Sequence, residues 1–156
     1  MEPMRRKDKE QTTEFAYTVL DEAEYGVLAL ADKTGNTYAV PISFTRIGTK
    51  IYIHGANEGR KLSLINENSK VSFTAVSYTK LLPDIFSTDY KSAIVSGIAS
   101  IVENQSEKLE ALKAFAVKYS HNFLKEGDKY IDAQWDNTTL IVIDIENISG
   151  KAQLPK

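Results

Sequence analysis

The chain has 156 residues, enough for one domain with a real core, and its apolar and charged fractions are those of a folded globular protein. A net charge of −2 gives no electrostatic case for nucleic acid, and the lack of cysteine excludes disulfides, thiolate metal sites and a cysteine nucleophile. The only two histidines, His54 and His121, share no zinc-type spacing, so no metal is expected, and no apolar run reaches the length of a membrane span.

The N-terminal MRRKDKE is basic at Arg5, Arg6 and Lys7 and leads into acidic helix rather than an apolar segment. It does not read as a secretory signal, and the expected location is cytoplasmic. Residues 10–24 place Phe15, Ala16, Val19, Leu20 and Ala23 on one stripe of a helix, with Gly26 as its stop. Val27 to Ala31, the turn DKTGN and YAVPISF then read as a β-hairpin across Gly35–Asn36. A turn at residues 47–49 leads to the strand beginning at Ile51.

A short helix is expected near residues 59–67 and a strand over Val71 to Val76. The stretch SYTKLLPDIFSTD, broken by Pro83, reads as irregular. Ser92 to Val102 alternates again and carries Gly97, a residue type that inside a strand marks a bulge or a close backbone approach. Leu109, Leu112, Phe115, Ala116 and Tyr119 define a second amphipathic helix with Ser106 as its expected N-cap, and Thr139 to Ile145 is a β-branched strand. The sum is a mainly β (α+β) fold of about six short antiparallel strands with flanking helices, which favours a barrel over an open sheet. No linker or repeat divides residues 1–156, so one domain is expected.

The segment IYIHGANEGRK carries the clearest chemistry. A strand runs into His54 and Gly55; Gly59 follows, then Arg60 and Lys61 on the first turn of a helix. Unsatisfied N–H groups and the positive end of the helix dipole suit an anion there. Glycines let the backbone approach it, and Arg and Lys add charge-assisted hydrogen bonds. The chain has no GxSxG, Walker, GxGxxG or HExxH motif, which removes support for hydrolase, NTPase and dinucleotide-fold readings.

In their order, MRRKDKE, LDEAEYGVLALAD, YAVPISF, IYIHGANEGRKLSLI, FSTDYKSAIVSGIASIVE and the closing ISGKA strand resemble the pyridoxamine 5′-phosphate oxidase-like flavoproteins, nearest the nitroimidazole-resistance (Nim) type. The resemblance implies a six-stranded FMN-binding split β-barrel and a homodimer with flavin at the subunit interface. It places Val40, Pro41, Ile42 and Ser43 along the isoalloxazine ring, His54 and Gly55 near the ribityl chain and ring, and Arg60 and Lys61 on the phosphate. The partner would contribute from the region after Pro83 and the strand near Ser92. His54 is then the candidate catalytic residue, as proton donor or substrate contact. The implied function is FMN-dependent reduction of a small acceptor, a nitroaromatic included, with NAD(P)H as a donor. A flavin- or haem-binding module without its own substrate, or an F420-dependent relative, is the alternative. The tail NISGKAQLPK lacks the arginine and histidine of the vitamin B6 oxidases, so that reaction is not expected.

Overall fold

In the computed structural model, residues 4–154 are described; the outer limits of the expected 1–156 domain, and Pro155 and Lys156 of the tail, lie outside the described residues. Eight strands form one antiparallel sheet: β1 (Glu10–Gln11), β2 (Gly26–Ala31), β3 (Thr37–Ile42), β4 (Thr45–Ile47), β5 (Lys50–Gly55), β6 (Lys70–Leu82), β7 (Ser87–Ile101) and β8 (Thr139–Gln153). The four helices are α1 (Thr13–Glu22), α2 (Arg60–Glu67), α3 (Gln105–Ser120) and α4 (Leu124–Gln134). The strand order is β3-β2-β6-β7-β8-β5-β4, with β1 paired to β8.

β3 and β4 stand at opposite ends of that hydrogen-bonded path, yet only Ser43 and Phe44 join them. Three peptide steps span at most about 11 Å. The sheet must therefore curl until its two ends nearly meet without pairing, which makes the barrel split rather than closed.

Alternation along the strands sorts residues between two cores. On β5, Ile51 and Ile53 point into the barrel with Phe73, Val95 and Ile143, while Tyr52 joins Leu140 and Val142 on the outer side. β5 and the first half of β8 are thus covered on both faces, which is why Thr139 to Ile145 reads as a nearly unbroken apolar run. α1 supplies Ala16, Val19 and Leu20 to the barrel core, and α2 supplies Leu64 and Ile65. The outer core is roofed by Ala111, Leu112 and Phe115 of α3 and Ile131 of α4.

Four features differ from the sequence reading. The six expected strands are all present, but β4 and β1 raise the count to eight; three and two residues are too few to show a periodicity. The stretch around Pro83 is not irregular: β6 and β7 continue to Leu82 and from Ser87 as one long hairpin, with Pro83 opening the turn at its tip. α4 was not expected, since it buries only Ile131 and so lacks a stripe. The N-cap of α3 is Asn104, whose side chain accepts from the N–H of Glu107, and not Ser106, which lies inside the helix.

The β3–β4 crossover is held from α3. The Tyr119 hydroxyl accepts from the Phe44 N–H (3.0 Å) and shares its one hydrogen between the carbonyls of Glu24 (2.8 Å) and Phe44 (2.9 Å). The Lys118 ammonium lies 3.8 Å over the Phe44 ring and donates to the Leu20 carbonyl (3.1 Å); burial lowers its pKa to about 8. Tyr119→Phe would leave the Phe44 N–H without its partner. Such a deletion costs roughly 1–2 kcal/mol, so urea unfolding should show a lower midpoint with an unchanged slope.

Candidate functional site

β5 ends at His54 and Gly55, which pair with Leu140 and Thr139 of β8. The loop that follows is latched to the far side of the chain through Asn57. Its amide donates to the Asp136 carbonyl (2.7 Å), and the Thr139 hydroxyl donates to its Oδ1 (2.8 Å). Gly59 then turns the backbone at φ 136°, a left-handed value that favours glycine, and α2 begins at Arg60. The first helical bond outside the turn is donated by the Ser63 N–H to the Gly59 carbonyl (3.2 Å). The N–H groups of residues 60–62 precede it, and Gly59 has no side chain to cap them.

Beside this turn lies a small cavity of about 90 Å³ whose lining includes Gly55, Glu58, Gly59, Lys61 and Thr139. That is the room of roughly three waters, enough for a small anionic group and not for a ring system. A Cβ added at Gly55 or Gly59 would meet nothing within 4 Å, so the backbone is open to close approach. Arg60 is exposed, and its guanidinium rests 4.5 Å over the ring of Tyr38 on β3. This contact ties the cationic turn to the strand that ends the sheet.

On β3, Tyr38, Val40 and Ile42 pack against the barrel core, while Pro41 and Ser43 face outward. The side chains of Val40 and Ile42 are thereby committed to packing. What the strand offers outward is Pro41, Ser43 and the backbone edge that β2 does not pair. The His54 ring meets Phe115 of α3 edge-on at 4.6 Å between centroids. It shares with Ser43 the wall of a second cavity, of about 440 Å³, between β5 and the α3–α4 pair.

The structure therefore places the eight sequence-derived residues in three neighbouring groups, linked through the His54–Gly55 backbone and the Arg60–Tyr38 contact. Gly55, Arg60 and Lys61 surround the turn into α2; Ser43 and His54 face the larger cavity; Val40, Pro41 and Ile42 form the strand between Arg60 and Ser43. Sequence reasoning missed Asn57, Thr139, Phe115 and Tyr119, whose roles come from partners distant in the chain. Trp135 is a packing residue: its indole N–H donates to Gln105 (3.1 Å), Lys108 lies 4.6 Å over its ring, and it abuts the outer core. Among the described residues, no group of three or more His, Cys, Asp or Glu is arranged to hold a metal ion, and no helix is long and apolar enough to cross a membrane.

Desolvation pushes the His54 pKa below its ordinary 6.5. Between that lowered value and 6.5 the unfolded chain binds more protons than the folded one. Stability should therefore rise with pH through this window and fall as the imidazole is forced to charge in acid. Urea titrations between about pH 5 and 8 should show His54→Gln flattening this acid limb; an unchanged slope would remove the assignment.

The sequence profile of a family described as pyridoxamine 5′-phosphate oxidase matches residues 12–152. Among solved structures, the chain is similar to a candidate 5-nitroimidazole antibiotic resistance protein from Bacteroides thetaiotaomicron (21% identity, TM-score 0.71, covering 91% of this chain and 84% of that one). It is also similar to the flavocytochrome Anf3 from Azotobacter vinelandii (18%, 0.79, 98% and 73%) and to the FAD and heme binding protein from Mycobacterium smegmatis (21%, 0.73, 94% and 74%). At these identities the likeness to solved structures carries the fold alone. No curated protein sequence matches the chain.

Proposed function

The chain belongs to the pyridoxamine 5′-phosphate oxidase family, and from that premise we propose that it is an FMN-dependent oxidoreductase acting on a small neutral acceptor. The observation that carries this reading is the turn into α2: two open glycines, unpaired first-turn N–H groups and the Arg60–Lys61 pair, held against β3 by the Arg60–Tyr38 contact. Arg60 and Lys61 would bind the phosphate, Gly55 and Gly59 would let it approach the backbone, and the outer edge of Val40-Pro41-Ile42-Ser43 would lie along the ring. Asn57 keeps the loop in place before any ligand arrives. FMN, when bound, supplies the electron chemistry.

Desolvation beside Phe115 lowers the His54 pKa from its ordinary value and so favours the neutral imidazole. Of its two expected roles this favours the substrate contact, since a neutral imidazole offers one donor and one acceptor and holds no proton to spare. A homodimer fits the same reading. On one face of the β6–β7 hairpin Val76, Leu81 and Ile94 are exposed, and in the turn at its tip so are Ile85 and Phe86, the latter 97% exposed. A second copy seated there would cover this surface and bring its own segment after Pro83 towards the flavin. NAD(P)H is the proposed donor.

Release by denaturation, with the cofactor identified by mass, tests the assignment: FMN at one per subunit is expected. Haem or F420 in its place would establish the competing reading of a cofactor-binding module or an F420-dependent relative. With FMN present, NAD(P)H should bleach the native protein and a nitroaromatic acceptor should restore the colour faster than oxygen does.

A further inference from the structure

The β6–β7 hairpin exposes Val76, Leu81 and Ile94 on one face, and its other face carries a buried acid. Asp89 of β7 lies an odd number of residues from Ile94, so it turns to the opposite side. It continues the face on which Ala93 and Val95 enter the barrel core. Leu82, in register with Ser87, shares this side. There Asp89 lines a cavity of about 730 Å³, together with Leu82, Ile85, Ala152, Leu154 and, from the N-terminal segment, Arg6 and Lys9. That volume falls within the ~300–1,000 Å³ of ordinary small-molecule sites.

Asp89 is 2% exposed, yet among the described residues its carboxylate takes part in no hydrogen bond or ion pair. Nor is it sealed in: among the described residues the only fully enclosed side-chain polar atom without a partner is Ser77 Oγ. The little surface that Asp89 keeps therefore opens on the cavity. The cations on the lining are already engaged. Arg6 gives two hydrogen bonds to Asp8 (2.7 and 2.5 Å), while Lys9 donates to Gln153 and lies 5.8 Å from the centre of the Tyr90 ring. Lys91, two residues along on the same side of β7, reaches Glu22 (4.0 Å), and Lys80, opposite Asp89 on β6, is exposed. A buried carboxylate without a donor is strongly disfavoured. A positively charged donor relieves it best, because charge-assisted hydrogen bonds are the strong ones.

We infer that this cavity binds an organic cation: a primary ammonium on Asp89, carried on an apolar body that lies against Leu82, Ile85 and Leu154. Ile85 and Leu154 are exposed, and such a body would take their apolar surface out of water. The site shares no lining residue with the turn into α2 or with the cavity beside His54, and it does not depend on the flavin reading.

The test is isothermal titration of the full chain with 2-phenylethylamine, and with 2-phenylethanol and 3-phenylpropionate as neutral and anionic counterparts of similar shape. Saturable binding of the amine at one site per chain is expected. Both counterparts should bind at least ~10-fold more weakly, the scale of one charge-assisted hydrogen bond. Asp89→Asn, which keeps the shape of the side chain, should bring the amine level with the alcohol. This variant should melt no lower than the parent, since no bond within the protein is lost. Ile85→Ser, at an exposed position in the hairpin turn, should weaken the amine by about threefold through lost apolar contact. Arg60→Ala/Lys61→Ala should leave it unchanged. No binding of the amine, equal binding of the alcohol or the acid, or an undiminished preference for the amine in Asp89→Asn would overturn the proposal. A clearly lower melting temperature in Asp89→Asn would also overturn it, by showing that the carboxylate already has a partner within the fold. A protein that purifies without FMN yet binds the amine in this pattern overturns the flavin reading and keeps the cation site.

Discussion

Replacing Arg60 and Lys61 together with alanine is expected to weaken FMN binding by roughly 100-fold or more while the protein stays folded. Each cation can give the phosphate charge-assisted hydrogen bonds, and hydrogen bonds to charged groups contribute about 1.5–3 kcal/mol each. Arg60 is exposed, so the lower end of that range applies to it. Two such losses still sum to about 3 kcal/mol, or two decades in Kd. The double variant loses the Arg60–Tyr38 contact, but α2 stays anchored through Leu64 and Ile65 in the barrel core. Quenching of flavin fluorescence during titration reads the affinity, and a thermal melt of the same sample reads the fold. A folded double variant with wild-type FMN affinity would sink the phosphate assignment. Gly55→Ala is the companion substitution: an added Cβ meets nothing in the protein, so stability should hold while the flavin, brought against the methyl, binds less well.

The largest effect on stability is expected from Gly97→Ala. A Cβ built there lies 2.2 Å from the Asp144 carbonyl oxygen and 3.0 Å from Cγ2 of Ile143. The clash is with backbone, which cannot rotate away as a side-chain tip can. It falls where the β7–β8 register shifts between Ser96 and Gly97, at a β7 residue paired with both β6 and β8. Overpacking of this kind costs typically 1–3 kcal/mol, and a backbone collision between central strands should reach about 3 kcal/mol or exceed it. For a chain of this length that lowers Tm by about 10 °C. A variant melting within a degree or two of the parent would mean that the strands separate at this point with little cost.

The glycine illustrates what kind of signal survives in a sequence. Gly97 inside an alternating run already pointed to a bulge or a close approach, and it is both. The hairpin across Gly35–Asn36 is present with Ala31 opposite Thr37, because turn chemistry and strand alternation are written in neighbouring residues. Pro83 misled for the same local reason. It forbids a strand interior and makes the stretch around it read as irregular, when it sits at the tip of a hairpin whose arms pair on either side. α4 was invisible because a helix that lies as a roof over another helix needs only one buried residue.

By itself the sequence determined the strands with period two, the helical stripes of α1 and α3, and the strand–turn–helix of HGANEGRK with its two cations on the first turn of α2, since each depends on residues within a few positions of one another. It also determined the barrel class, through the number of short antiparallel runs. Tertiary structure alone decided that the sheet stays split at the β3–β4 crossover, where Tyr119 from a distant helix holds Phe44. Tertiary structure alone also placed His54 and Ser43 on one uncharged wall with Phe115 and set Val40 and Ile42 against the barrel core. The physical reason is that these outcomes depend on which apolar faces find one another across the whole chain. Periodicity can say that a residue turns to one face of a strand, but only packing says what it meets there.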